Sequence, residues 1–210
     1  MNQQDETNAA PYQIGMWAAL LLTIETIVFG VALLIPGALN VAFGASVLIA
    51  PTFVTVMIAL HHITPSRKQV WSHLGIAFAV IYSVYGTLNY YIQLTVVRTN
   101  SLGASPDLLR MFTFTPGSVM FAQDMLGYTF LALTTLVAAP VFSRSRLARW
   151  IKTLFVVHGL TFFVPLVFPA LSLPQDSTGD EFGMLANLLW CILFAPLSLM
   201  LITHFRRGRS

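Results

Sequence analysis

Six apolar runs, each long enough to cross a bilayer as a helix, fill most of this chain: Tyr12–Pro36, Leu39–Ile63, Val70–Val97, Pro116–Phe142, Leu147–Leu171 and Gly183–Phe205. A transmembrane helix needs ~20 mainly apolar residues, whereas a spanning β-strand would show ~10 residues of alternating polarity. The runs are continuous, so the pattern predicts an all-α integral membrane bundle, one transmembrane domain over residues 1–210. The punctuation agrees. "IPGAL" turns the first run into the second, "ITPSRKQ" separates the second from the third, and "FTPGS" opens the fourth. There Thr115 is the expected cap and Pro116 the first helical residue, where a missing N–H is harmless. In the longest loop, Thr99 to Phe114, Ser105 reads as the N-cap of "PDLLRMF". That segment is either a short helix at the interface or a loop packed over the bundle.

Composition supports the same class. The chain is 56% hydrophobic and 9% charged, against about 25% charged in soluble domains, so it lacks the polar surface to coat a water-soluble particle. A net charge of +3 does not indicate nucleic acid. The basic residues stand at the ends of apolar runs and form no stripe. Nine of the eleven (Arg67, Lys68, Arg144, Arg146, Arg149, Lys152, Arg206, Arg207 and Arg209) fall on the side shared by the second loop, the fourth loop and both termini. Only Arg98 and Arg110 fall on the other. The positive-inside rule predicts a cell-membrane protein with both termini cytoplasmic. The acidic fifth loop, "SLPQDSTGDEFG", then lies outside. No Lys or Arg precedes the first run, which is also too long for a signal-peptide core, so it reads as a retained span. Cys191 is the single cysteine; it excludes an intrachain disulfide and suits packing.

Polar groups at membrane depth carry the candidate chemistry, because they are expensive there and usually face the bundle interior. Glu25, Asp124 and His158 are the ionisable ones; Asn89, Gln93, Gln123 and Asn187 are the amides. Gly75, Ala79, Tyr82, Gly86, Asn89 and Gln93 recur every three or four residues and so share a face of the third helix. Small residues allow close approach, and amides bond across it. Asp124, Tyr128 and Thr135 share a face of the fourth helix; Thr52, Thr55, Ala59 and His62 are expected to do so on the second. Asn89 and Gln93 read as interhelical ties or as the lining of a ligand cavity. Glu25 and Asp124 are structural carboxyls kept neutral by burial, or parts of a proton-relay or cation site with His158. His61, His62 and His73 gather at one end, yet neighbours on a helix point about 100° apart, which disfavours a shared metal ion. No cofactor is implied by any motif. Pro51 and Pro140 fall within spans without marking an internal repeat.

"NYYIQLTVVR", followed by "LGYTFLALTTLVAAPVF" and a basic loop, resembles small uncharacterised multi-pass membrane proteins of bacteria and archaea, over Asn89 to Arg149. That resemblance implies a six-helix bundle and carries over no catalytic residue. Glu25, Asp124 and His158 are also compatible in type with the sterol-isomerase-like membrane fold, by analogy alone.

The expected function is non-catalytic: binding of a small apolar or lipid-like ligand, or service as a subunit of a membrane assembly or homo-oligomer. The pocket would be built in the outer half from Glu25, Asn89, Gln93, Asp124, Tyr128 and His158. Two alternatives use the same residues. One is an intramembrane enzyme acting on a lipid or isoprenoid, with Glu25 or Asp124 as acid/base and His158 as partner. The other is a proton- or cation-coupled transporter.

Overall fold

The computed structural model describes residues 3–143, 145–171 and 177–209. Arg144 and the start of the acidic fifth loop lie outside the described residues. The described chain is all-helical, with α1 (Gln3–Leu34), α2 (Leu39–His62), α3 (Gln69–Ile92), α4 (Pro106–Phe112), α5 (Val119–Ala138), α6 (Arg146–Gly159), α7 (Phe163–Val167) and α8 (Ser177–Arg209). Six segments are long and apolar enough to span a membrane: Ala9–Leu34, Leu39–His62, Ser66–Val97, Val119–Val141, Arg146–Ala170 and Gly183–Gly208. Large apolar side chains stand exposed along them, including Leu21, Ile24 and Val28 on α1 and Val80, Val84 and Leu88 on α3. Water would not tolerate such a coat; hydrocarbon does.

The spans pack in chain order: α1 on α2, α2 on α3, α3 on α5, α5 on α6, and α8 closes the ring by lying along α1. Small residues permit the close contacts. Ala42, Ala45, Ala50 and Ala59 are buried on α2, and Gly75, Ala79 and Gly86 on α3. Cys191 is buried against Gly30, the packing role its neighbours suggested. The centre is filled by aromatic rings in a closed circuit. Phe53 meets Tyr82 at 6.2 Å and Phe194 at 5.6 Å; Tyr82 meets Tyr128 at 6.4 Å. Trp190 completes it, 6.2 Å from Tyr128 and stacked on Phe194 at 4.7 Å.

Several boundaries differ from expectation. The fourth span is capped by Ser118, whose hydroxyl accepts from Phe121 N at 3.0 Å, and not by Thr115. Gly117 turns the chain just before it with φ +85°, which moves the start past Pro116. The fifth span is not one helix: α6 passes through a 3₁₀ turn, Leu160–Phe162, into α7 and a second 3₁₀ turn, Phe168–Ala170. Pro165 and Pro169 withhold the N–H groups that a continuous helix requires. Pro140 sits in the 3₁₀ turn Ala139–Val141 that ends the fourth span. The loop segment after Ser105 is the helix α4, and Ser105 Oγ accepts from Leu108 N at 3.3 Å. On α2 the proposed polar face does not hold: Thr55 and His62 are exposed, and burial follows the Ala42–Ile49–Phe53–Leu60 side. Thr55 tolerates exposure because its hydroxyl donates to Pro51 O at 3.0 Å.

Candidate functional site

The expected amide stripe on α3 is buried in full. Gly75, Ala79, Tyr82, Gly86 and Asn89 face inward, and Gln93 follows them on a π-helical turn, Gln93–Val97, that extends α3. Asn89 lies opposite Asp124 on α5, and its Nδ2 donates to Asp124 Oδ1 at 2.9 Å. Both are enclosed, with Asn89 0% and Asp124 2% exposed. Gln93 turns elsewhere: its Nε2 donates to Phe112 O at 2.6 Å, tying the end of α4 to the end of α3. The two amides of one stripe thus fasten two different partners.

A tyrosine chain runs beside the Asn89–Asp124 pair. Tyr128 donates its hydroxyl to Asn187 Oδ1 at 3.2 Å, and Tyr90 Oη lies 3.0 Å from Tyr128 Oη. Tyr128 gives its one hydrogen to Asn187, and the Tyr90 hydroxyl lies within reach of both Tyr128 and Asp124. Asn187 in turn donates to Gly183 O at 2.9 Å. Phe114, from the loop after α4, stacks on the Tyr90 ring at 5.8 Å and covers the cluster from that end.

His158 belongs to a separate arrangement. It is 3% exposed, its Nδ1 lies 2.8 Å from Thr135 Oγ1, and Trp190 Nε1 donates to its Nε2 at 3.2 Å. Indole N–H only donates, so Nε2 carries the lone pair and Nδ1 the proton. The ring is thereby held as one neutral tautomer with both nitrogens occupied. Glu25 is apart again: on α1, half-buried, its Oε1 accepts from Thr52 on α2 at 3.1 Å. No hydrogen bond joins Glu25, Asp124 and His158 among the described residues. Three acceptor oxygens remain buried without a partner: Glu25 Oε2, Asn89 Oδ1 and Asp124 Oδ2.

At the other end, His61 and His73 stack at 4.0 Å while His61 Nδ1 contacts Ser72 Oγ at 2.8 Å. No group of three or more His, Cys, Asp and Glu is placed to hold a metal ion among the described residues. Two contributors escaped the sequence reading. Nothing in the sequence singles out Trp190 except its spacing from Asn187 and Phe194, which puts the three on one helix face. Lys68 counted as a loop charge, yet its amine reaches back to Pro140 O and to Ser143 Oγ, the latter at 2.8 Å.

A groove of about 540 Å³ opens on the membrane-facing side between α2 and α3, lined by Pro51, Val54, Val80, Val84, Leu88 and the hydroxyl-bearing Ser83, Thr87 and Tyr91. Thr87 makes no hydrogen bond, whereas every other described threonine within a span bonds a carbonyl or a side chain.

Six spanning helices closed around a buried polar cluster define the class: a multi-pass helical membrane protein. No family model matches the chain, nor does any curated protein or solved structure.

Proposed function

We propose that this protein is a non-catalytic membrane protein that holds an amphiphilic, lipid-like ligand in the groove between α2 and α3. The observation that carries the reading is the bare Thr87 hydroxyl on the groove wall. An unpaired hydroxyl facing hydrocarbon costs on the order of 1–3 kcal/mol, and threonine in a helix ordinarily avoids that by bonding the carbonyl one turn back. A ligand with a carbonyl or hydroxyl oxygen at that depth would supply the partner. Ser83, Thr87 and Tyr91 follow one another at one-turn intervals along an otherwise apolar trough, which suits an elongated molecule more than a compact one. Binding pockets for small molecules are commonly about 300–1,000 Å³, so the volume is adequate. The non-catalytic part of the reading is supported by His158, whose two nitrogens are engaged by Thr135 and Trp190 and neither by a carboxyl.

Lipid retained through purification and counted by mass spectrometry tests this. Wild type should keep a lipid species after exhaustive detergent washing. Val84→Trp, which fills the groove, should lose it; Thr87→Val should retain several-fold less; Thr55→Val, on the same helix pair but already bonded internally, should match wild type. Equal retention in all three variants would refute the reading. A dimer that Val84→Trp abolishes would assign the groove to a second copy of the chain instead.

A further inference from the structure

The Asn89–Asp124 contact is incomplete as drawn by its heavy atoms. Asn89 donates to Asp124 Oδ1, but Asn89 Oδ1 and Asp124 Oδ2, on the same two side chains, have no donor. Tyr90 lies beside both the carboxyl and Tyr128, which passes its own hydrogen to Asn187, so one Tyr90 hydrogen faces two acceptors. Whichever acceptor that hydrogen serves, Asn89 Oδ1 is left without a donor. The site contains more acceptors than donors, and it does so where water is excluded and an unpaired carboxylate is most costly.

We propose that Asp124 is a proton-binding site: the carboxyl holds a proton on Oδ2, and that O–H serves the Asn89 oxygen that is otherwise unpaired beside it. With Asn89 Oδ1 as acceptor, acid and amide form a reciprocal two-bond pair that ties α3 to α5. One proton removes the surplus of acceptors, because a carboxylic acid both donates and accepts. A cation fits less well. A hard ion such as calcium gathers about six to eight oxygens, and only two unpaired ones lie on this pair, with Glu25 Oε2 held on the α1–α2 side by the bond to Thr52.

The groups facing Asp124 leave no other source of compensation. From α3 come Tyr82 and Tyr90, and from α5 itself Tyr128; Asn187 on α8 bonds Tyr128 and not the carboxyl. His158 on α6 is turned to Thr135 and Trp190, α7 has no titratable residue, and Asp107 and Arg110 on α4 are exposed. No lysine, arginine or imidazole reaches the carboxyl among the described residues. Removing the proton would leave a buried charge beside the unpaired Asn89 oxygen, so the α3–α5 contact should loosen. The inference does not rest on the groove reading.

Infrared difference spectroscopy of the full chain in lipid nanodiscs reads the proton directly. Wild type at neutral pH should show the carbonyl band of a protonated carboxylic acid, lost on raising the pH. Asp124→Asn should lack the band while melting at nearly the same temperature across that pH range, because its amide donates where the acid did. Wild type should melt progressively lower as the pH rises and the bound proton is given up. Should Asp124→Asn fail to fold, Asn89→Ala reports instead: the band should shift to higher frequency once the Nδ2 bond to Oδ1 is gone. A neutral-pH spectrum with no acid band, or a band unchanged in both variants, overturns the proposal. So does a melting temperature that rises with sodium at fixed pH and loses that response in Asp124→Asn, since the ligand would then be a metal cation.

Discussion

Gly159 lies so close to Leu136 that a β-carbon on it would stand 2.7 Å from the Leu136 backbone nitrogen and α-carbon. This near-contact of α6 with α5 is what lets the neighbouring His158 reach Thr135 across the same interface.

Gly159→Ala should therefore force α6 and α5 apart. Backbone cannot swing aside as a flexible side chain can, and overpacking of this kind costs about 1–3 kcal/mol. Thermal unfolding in nanodiscs should show a clear fall in midpoint. Gly44→Ala is the control, since nothing lies within 4 Å of its would-be β-carbon; it should be neutral or stabilise by up to ~1 kcal/mol, as alanine favours a helix.

His158→Phe should destabilise without touching any ligand. The substitution keeps a ring but strands the Trp190 N–H, and a buried donor left unpaired costs roughly 1–3 kcal/mol; Thr135 loses the bond it accepts from His158 but keeps its own to the Ala132 carbonyl. His158→Gln, which keeps an acceptor and a donor, should recover part of the loss. Unfolding midpoints and Trp190 fluorescence measure the two effects; a His158→Phe variant as stable as wild type would show that neither bond matters.

Lys68 fastens the start of the third span to the end of the fourth. Its amine donates to the carbonyls of Pro140 and Val141, the latter at 3.2 Å, where the α5 end leaves acceptors exposed. Lys68→Met should speed hydrogen exchange of the backbone amides around Ala139–Val141 several-fold, with little change at the opposite end. Lys68→Arg should keep most of the protection.

Charge asymmetry predicts that both termini face the cytoplasm. Green fluorescent protein fused after Ser210 should fluoresce, and alkaline phosphatase inserted at Gly103 should be active. The reverse pattern in both fusions would invert the topology, and with it the side on which the α4 loop lies.

The spans were legible because hydrocarbon demands unbroken apolar length, a property that survives any detail of packing. The α3 stripe was legible too, since glycine and alanine mark where helices can approach. What escaped depends on partners distant in sequence. Nothing around His158 announces Trp190, thirty-two residues away, and nothing around Glu25 says that its helix lies against α2 and α8 and not α3 or α5. The break in the fifth span was visible in Pro165 and Pro169, but hydropathy alone smooths over a helix interrupted without loss of apolarity. Thr55 shows a related reason: a hydroxyl bonded to its own backbone, here to Pro51 O, no longer needs an interior.

Asp124 is buried beside Tyr90, on which Phe114 stacks, and the Gln93–Phe112 strap fastens the end of α4 to the same helix. A carboxyl so enclosed equilibrates with the bulk only when its cover lifts. Its response to a pH jump would then run at the pace of the α4 loop's breathing, lagging behind the solution by however long that loop stays shut.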